Sequence, residues 1–224
     1  MNAHRSDADY APALDVRKGY LPASSSCGNP TQVALPSGMS PSTLPTAMKL
    51  PPDWCAATST YCNNMVGNSG VWDFDTYWSV EHPSASGAKP VVNGAPASNA
   101  NLPSRYFVYQ QEIAKGSSAG GLADQSIGTS PPPRKEIGSP ICNTNTPPAS
   151  VDRRILFTAI LNCRRLTADG VLGGGRNSNI PVAAFAKFFL IHAVDGSTGN
   201  IDSEFVGLVK QSDNVSFNNY QLYR

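Results

Sequence analysis

Two short serine motifs have a spacing that could support covalent catalysis. Ser86 and Lys89 have the SxxK spacing, and the triplet SDN begins at Ser212; some enzymes with a serine nucleophile use these two motifs together. In such enzymes the serine opens a helix and a KTG strand completes the site, whereas Ser86 lies among Pro and Gly residues and the sequence has no KTG. Because three-letter matches arise by chance in a serine-rich chain, we predict that the protein is not an enzyme and keep a serine hydrolase as a third hypothesis.

Two groups of oxygen-bearing side chains could bind a calcium ion, which prefers such ligands. Asp73 and Asp75 lie in the Asn/Ser/Asp-rich segment 68–75, and Asp195 and Ser197 lie in a DGSTG sequence that follows an apolar run. The second group is similar to the DxSxS loop that holds a divalent cation in von Willebrand A domains, but glycine replaces the last serine. Ordinary turns explain both groups. We therefore predict no metal and no cofactor, with Ca²⁺ as the weaker alternative.

Five cysteines, none in a CxxC or in a spacing with histidine typical of metal sites, favour disulfide bonds: Cys27, Cys55, Cys62, Cys142 and Cys163. A loop-rich chain with few charges gains little from burial, and each bridge adds about 2–4 kcal/mol in an oxidising compartment. We predict that Cys55 pairs with Cys62 and Cys142 with Cys163, which leaves Cys27 over. Reduced, buried cysteine is the alternative, mainly for Cys163 on its apolar run.

The composition of the 224 residues limits the classes of partner. Net charge is +1 and only 15% of residues are charged, against roughly 25% in an ordinary soluble domain. A broad electrostatic footprint for nucleic acid is therefore missing, and we predict no nucleic-acid partner. Apolar residues make up 40% of the chain and gather into a few dense blocks, which argues for a folded core.

The start of the chain lacks the apolar core of a signal peptide, because residues 1–6 are followed by polar residues. The longest apolar block, residues 180–194, contains Pro181, Lys187 and His192 and is too short to span a bilayer. Since the cysteines indicate an oxidising compartment, we predict a periplasmic or extracellular location. We also expect the sequence to be the C-terminal part of a longer protein that carries the export signal.

Proline and hydrophobic patterning predict two parts. Residues 1–50 form an extended Pro-rich arm, and residues 51–224 form a single β-rich domain that begins with an aromatic satellite cluster, residues 53–82. Residues 83–103 and 116–150, rich in Pro, Gly, Ser and Asn, are predicted as loops.

The main sheet core is predicted from residues 104–113 and 152–210. Residues 105–113 favour a strand, with a short helix as the alternative, and the apolar run 155–163 predicts a strand buried on both faces at the centre of the sheet. Residues 183–194 predict a strand or a short helix leading into one, and residues 205–209 a last core strand. The predicted fold class is α+β and β-rich, with one mixed or antiparallel sheet core and long loops stapled by disulfides.

Trp72, Tyr77 and Trp78 are candidate binding residues, because exposed aromatic side chains are frequent anchors at protein and glycan interfaces. Aromatic residues are more often part of the core, and that is the favoured alternative.

Four blocks, taken in order, resemble the C-terminal region of TadG-like proteins of the bacterial tight-adherence (Tad/Flp) pilus system. They cover most of residues 15–209: DVRKGY at 15–20; GVWD at 70–73 with Tyr77, Trp78 and His82; SRYFVY at 104–109 with Glu112; and DRRILFTAILNC at 152–163, followed by the FFL block and EFVG at 204–207.

The resemblance implies a protein of the Gram-negative cell envelope that helps pilus assembly or adherence without known catalysis. It also implies that the full-length protein is held by an N-terminal membrane segment, which we expect to be the protein's only link to the membrane. The leading hypothesis is therefore a non-catalytic accessory component of the pilus that contacts other pilus-assembly or envelope proteins. The second is a secreted, adhesin-like module with an exposed Trp/Tyr surface near residues 72–78 for binding glycan or protein.

Overall fold

A computed structural model describes residues 7–8, 13–14, 16–17, 50–51, 53, 70–82, 89–116, 118–121, 136–137, 151–171, 180–191 and 201–210. In these ranges the helices are α1 (Phe74–Glu81), α2 (Arg105–Lys115), a 3-10 helix (Val151–Arg154) and α3 (Cys163–Ala168). The strands are β1 (Val16–Arg17), β2 (Val91–Val92), β3 (Ala95–Pro96), β4 (Glu136–Ile137), β5 (Ile155–Ile160), β6 (Ala184–Leu190) and β7 (Ser203–Leu208). The predicted α+β class is confirmed.

The chain separates into two units. Unit 1 comprises Met1–Arg154 and Leu190–Glu204, and unit 2 comprises Ile155–Phe189 and Phe205–Arg224, so residues 51–224 contribute to both units. The predicted division into an arm, residues 1–50, and one following domain stays a prediction, because only a few residues of the arm are described.

Helix α1 begins at a local hydrogen-bonding signal. The Asp73 carboxylate accepts from the Thr76 backbone N–H, which is one of the unsatisfied donors of the first turn. Four aromatic side chains around the helix start are buried: Trp72, Phe74, Tyr77 and Trp78. Within the predicted cluster, residues 53–82, these four aromatic residues therefore belong to the core of unit 1.

A tight hairpin lies inside residues 83–103, where a plain loop was predicted. Strands β2 and β3 pair antiparallel, with Val92 opposite Ala95. Asn93 and Gly94 between them have φ of 50° and 80°, which is the left-handed pair of a type I′ turn. The Asn-Gly dipeptide was the available signal, and the flanking strands are too short to show alternation.

Residues 105–115 form a helix, so the prediction of a core strand for 105–113 is wrong and its helix alternative is correct. Aromatic and β-branched residues favoured a strand, but the buried positions Arg105, Val108, Tyr109 and Glu112 recur at helical spacing. The Ser104 hydroxyl accepts from the Phe107 N–H, and Gly116 at the end has φ 56°, which glycine adopts readily.

Strand β6, and not β5, lies at the centre of the three-stranded sheet, whose order is β5-β6-β7. Strands β5 and β6 pair antiparallel, with Ile155 opposite Phe189 and Ile160 opposite Ala184. The prediction of a doubly buried central strand at 155–163 is wrong, because β5 is an edge strand whose four middle side chains are exposed and it ends at Ile160. Strand β6 lies within the predicted range 183–194, and β7 overlaps the predicted range 205–209 but begins two residues earlier, at Ser203.

Two smaller sheets accompany this one: the β2–β3 hairpin and a parallel pair of β1 and β4, in which Val16 lies opposite Glu136. Among the described residues there are thus three separate sheets. The three-stranded sheet lies in the predicted core range 152–210, and the two small sheets lie outside the predicted core ranges. The helices α1 and α2 supply much of the buried apolar surface.

The buried side chain of Arg105 connects several segments of unit 1. Arg105 donates from Nη2 to Asp53 at 2.7 Å, from Nε to the Pro51 carbonyl at 2.7 Å and from Nη1 to Glu204 at 3.3 Å. Its guanidinium also lies 5.1 Å from the centre of the Trp72 ring. These contacts connect segments separated by as many as 99 residues.

Glu204 completes this cluster from the opposite end of the unit's sequence. Its two carboxylate oxygens accept the backbone N–H groups of Arg105 and Tyr106, at 3.0 and 3.1 Å. A carboxylate at this place satisfies donors of the first turn of α2 and complements the positive end of the helix. Glu204 therefore both pairs with Arg105 and caps the helix on which Arg105 lies.

We predict that Arg105→Ala lowers the free energy of unfolding by about 3–5 kcal/mol, because it leaves the buried Asp53 carboxylate without its cation. Urea denaturation measures the change. The matched control is Arg165→Ala, whose side chain is 79% exposed and lies 3.5 Å from Asp169, so it should change stability by less than about 1 kcal/mol. Equal losses in the two variants would contradict the assigned role of Arg105.

Candidate functional site

A second polar cluster lies between α1 and α2. The carboxyl group of Glu112 accepts from the Tyr77 hydroxyl at 3.1 Å and lies 2.7 Å from Nε2 of His82, so the Nε2–H tautomer of His82 donates to it. All three side chains are buried. The His82 ring also stacks against Trp78 with centroids 4.2 Å apart. These contacts hold the C-terminal end of α1 against α2.

The chemistry open to this cluster is limited by its burial. Within the described residues, Nδ1 of His82 is buried and has no hydrogen-bond partner. The groove described below is lined by neither His82 nor Glu112. The geometry therefore supports a positioning role for Glu112, which satisfies two donors from α1 and its C-terminal cap.

The three aromatic residues predicted to bind a partner are in the core. Trp72, Tyr77 and Trp78 are each only 1% exposed. The Trp72 indole donates to the Pro103 carbonyl at 2.9 Å, and the Tyr77 hydroxyl contacts Glu112. The exposed Trp/Tyr surface required by the adhesin-like hypothesis is not formed, and the favoured alternative, a core role, is correct.

The two acidic candidates for calcium in α1 are already engaged by protein groups. Asp73 accepts from Thr76 and from the Asn99 side chain, and Asp75 accepts from Lys89 at 2.7 Å and from the Asn99 N–H at 3.0 Å. These contacts tie the start of α1 to the segment after the β2–β3 hairpin. In the described ranges no group of three or more His, Cys, Asp or Glu side chains is arranged to hold a metal ion.

The same contacts set the acidity of both groups. Partial burial acts to raise the pKa of Asp73, but hydrogen bonds from Thr76 and Asn99 outweigh it and the pKa lies below its usual value. For Asp75, burial is again outweighed, here by the hydrogen bonds from Lys89 and Asn99 and by the Lys89 charge, so its pKa is also lowered.

Other predicted site residues are only partly described. Asp195, Ser197, Ser86 and Ser212 lie outside the described residues, and so do Cys27, Cys55, Cys62 and Cys142. Lys89, the lysine of the SxxK motif, pairs with Asp75. Cys163 is exposed and its thiol is free. The Cys55–Cys62 and Cys142–Cys163 bridges stay predictions.

A surface groove of about 660 Å³ lies over the aromatic core of unit 1. The ammonium groups of Lys89 and Lys115 border it, 5.4 Å from the Phe74 ring and 5.6 Å from the Trp78 ring. Burial lowers the pKa of Lys115, and the nearby Glu112 charge offsets this only in part. The groove could receive a small anionic group, but Asp75 already neutralises one of its two cations. The remaining lining residues are Pro90, Val91, Phe107, Gln111, Ser118 and Ala119.

The sheet strands carry the more open apolar surface. On β5, Leu156 and Phe157 are 41% and 44% exposed, and on β7, Phe205 and Leu208 are 56% and 52% exposed. The Phe205 ring packs edge-on against Phe188 of β6, with centroids 5.7 Å apart. Leu156 lies opposite Phe188 in the β5–β6 ladder, so Leu156, Phe188 and Phe205 share one face of the sheet and Phe157 lies on the other.

Three buried polar residues that organise unit 1 were not predicted as site residues: Arg105, Glu112 and His82. All three appeared in the sequence analysis only as members of the blocks of resemblance. The available signal was that the first and last buried positions of α2 are charged residues, Arg105 and Glu112. Arg and Glu are rarely buried without a partner.

No protein-family model matches the chain, and no curated protein or solved structure matches it either. Among the helices that the structure describes, none is both long and apolar enough to span a membrane.

We predict that Tyr77→Phe lowers the free energy of unfolding by about 1.5–3 kcal/mol, since it deletes a buried hydrogen bond to a carboxyl group without removing the ring. Thermal or urea denaturation checks this. The control is Ser79→Ala, because the Ser79 hydroxyl makes an exposed bond within α1. A Tyr77→Phe variant as stable as this control would show that the Glu112 cluster contributes nothing.

We predict that Asp73→Asn flattens the dependence of stability on pH below about pH 5. The folded-state pKa of Asp73 is lowered, so its stabilising contribution is present above the unfolded pKa and is lost as the pH falls through the folded pKa. Asparagine keeps the helix cap but does not titrate. Urea melts at pH 6 and pH 3 measure the effect, and an unchanged pH dependence would contradict it.

Proposed function

We propose that the chain is a non-catalytic accessory component of a bacterial tight-adherence pilus system and acts by contacting other proteins in the cell envelope. The proposal starts from the TadG-like resemblance of four separated sequence blocks. It holds that the chain works in the periplasm or outside the cell, where oxidation would join Cys55 to Cys62, and would join Cys163, whose thiol is free in this structure, to Cys142.

The observation that carries the proposal is that residues from separate blocks of the resemblance contact each other in unit 1. Trp72 of the second block lies against Arg105 of the third, and Glu204 of the last block binds the same arginine. Tyr77 and His82 of the second block both bind Glu112 of the third. A chance likeness of short strings has no reason to select residues that meet in space, so this convergence supports the resemblance.

The exposed apolar side chains of β5 and β7 support protein contact as the mode of action. Leu156 and Phe205 lie on the same face of the sheet as Phe188 and are 41% and 56% exposed. Aromatic side chains are enriched at the centres of protein interfaces. The low charge of the chain fits recognition by shape and apolar contact.

The test is disruption of the gene in its source bacterium. We predict that surface pili, sheared from cells and measured by immunoblot of the major pilin, are lost in the disrupted strain and restored by the intact gene. Normal pili in the disrupted strain would contradict the proposal.

A pair of surface variants refines the test. Complementation with Leu156→Ser/Phe205→Ser, which alters two exposed residues on one face of the sheet, should reduce surface pili by about tenfold, the effect of losing interface anchors. Val91→Ser is the matched control, because Val91 is an exposed apolar residue of unit 1. The cellular level of each variant is measured in parallel. Full restoration by the double variant would show that this surface is not the contact.

A further inference from the structure

The outer edge of β5 presents backbone groups that no described strand pairs. The backbone N–H of Val209 donates to the Phe185 carbonyl, so Phe185 turns its backbone groups away from β5. In an antiparallel ladder the backbone N–H and C=O groups of successive residues point alternately to the two neighbouring strands. The backbone groups of the next residue, Ala186, therefore point to β5, where Ala186 pairs with Thr158. By the same alternation Phe157 and Ala159 turn their N–H and C=O groups to the outer edge.

The side chains of this strand leave the edge open. All six residues, ILFTAI, are uncharged, and the four in the middle are exposed. Native proteins usually protect edge strands with charges, proline or a bulge, because an uncovered apolar edge is a template for another strand. None of these devices occurs within Ile155–Ile160.

The charged residues around β5 indicate which kind of strand would bind at its outer edge. Arg164 and Arg165 are exposed just after its end, and Lys187 lies opposite Phe157 on β6. Among the described residues of unit 2, Asp169 is the only carboxylate, and it lies 3.5 Å from Arg165. Exposed positive charge is therefore concentrated at the end of β5 that Arg164 and Arg165 follow.

A second copy of this chain is a poor occupant for the same reason. Parallel pairing of two β5 strands would place Arg164 and Arg165 beside their own copies. Antiparallel pairing would bring them toward residues 152–154 of the other copy, Asp-Arg-Arg, which precede β5 and carry a net positive charge. Like charges at close range oppose both arrangements.

We infer that the outer edge of β5 accepts an extended strand from a different protein, with an uncharged apolar centre and acidic residues at its ends. The inference rests on the protein-contact part of the proposed function and specifies its partner. Backbone hydrogen bonds to Phe157 and Ala159 would supply affinity, and ion pairs with the flanking arginines would set specificity.

The test uses the full chain and two labelled peptides, Ac-DDTVIVTVDD-NH2 and its charge-reversed match Ac-KKTVIVTVKK-NH2. Fluorescence anisotropy should give about tenfold or more tighter binding for the acidic peptide, a difference expected for complementary against repelling charges. Hydrogen exchange, read by NMR, should slow at the Phe157 and Ala159 amides. Equal affinities, no binding at millimolar peptide, or protection only elsewhere would overturn the inference.

Ala159→Pro tests the edge itself, because proline removes an outward N–H while the inward bonds of β5 to β6 remain. It should weaken binding of the acidic peptide by about tenfold, whereas Ala159→Ser, which keeps the N–H, should bind as the parent does. If the proline variant fails to fold, Arg164→Glu/Arg165→Glu replaces it and should reverse the peptide preference. Unchanged binding in whichever variant folds would overturn the inference.

The two proposals fail in different experiments. Loss of pili on gene disruption together with no peptide binding would remove the strand inference alone. Peptide binding at β5 together with normal pili in the disrupted strain would remove the pilus proposal alone. Sedimentation that shows a dimer dissolved by Ala159→Pro would replace the acidic partner with a second copy of the chain and overturn the inference as stated.

Discussion

The described part of unit 1 depends on the pairing of the Arg105 guanidinium with carboxylates brought from distant parts of the sequence. A buried arginine without such partners would oppose folding, because desolvation of its charge costs several kcal/mol. Here the Asp53 carboxylate, the Pro51 carbonyl and the Glu204 carboxylate receive its donors. Folding of α2 is thereby coupled to the correct placement of segments that precede and follow it.

The aromatic core and the Glu112 cluster extend from this point. The Trp72 ring packs against the Arg105 guanidinium. Tyr77, later in the same segment, donates a hydrogen bond from its hydroxyl to Glu112 on α2. The side chains of both polar clusters are largely buried. Their role in the described residues is therefore to determine which side chains contact each other, and neither cluster forms a reaction centre that is open to solvent. Unit 2 is built differently, since its three-stranded sheet leaves apolar side chains of β5 and β7 in water. The exposed apolar side chains therefore lie on the sheet of unit 2, and the buried charged side chains described above lie in unit 1.

Local patterns predicted some of this architecture. Apolar runs located β6 and β7, and the aromatic density of residues 72–78 indicated a buried cluster. Residues 105–113 were wrongly predicted as a strand because aromatic and β-branched residues favour one. The helix is decided by the burial of Arg105 and Glu112, whose hydrogen-bond partners lie 30 or more residues away. The exposure of β5 could not be predicted for a related reason. An apolar run indicates that a strand is to be covered, but not whether the cover comes from the same chain. Arg105, Glu112 and His82 were not predicted as site residues because their contacts form only when segments that are distant in the sequence come together in the fold.

The most direct measurement is a double-mutant cycle between Arg105 and Glu204, with free energies of unfolding from urea denaturation of Arg105→Ala, Glu204→Ala, the double variant and the parent. If the pair organises unit 1, the two losses are not additive, and the coupling energy lies between about 0.5 and 3 kcal/mol in favour of the pair. Losses that add within about 0.3 kcal/mol would contradict the account, since they would show that the two residues stabilise the protein independently of each other.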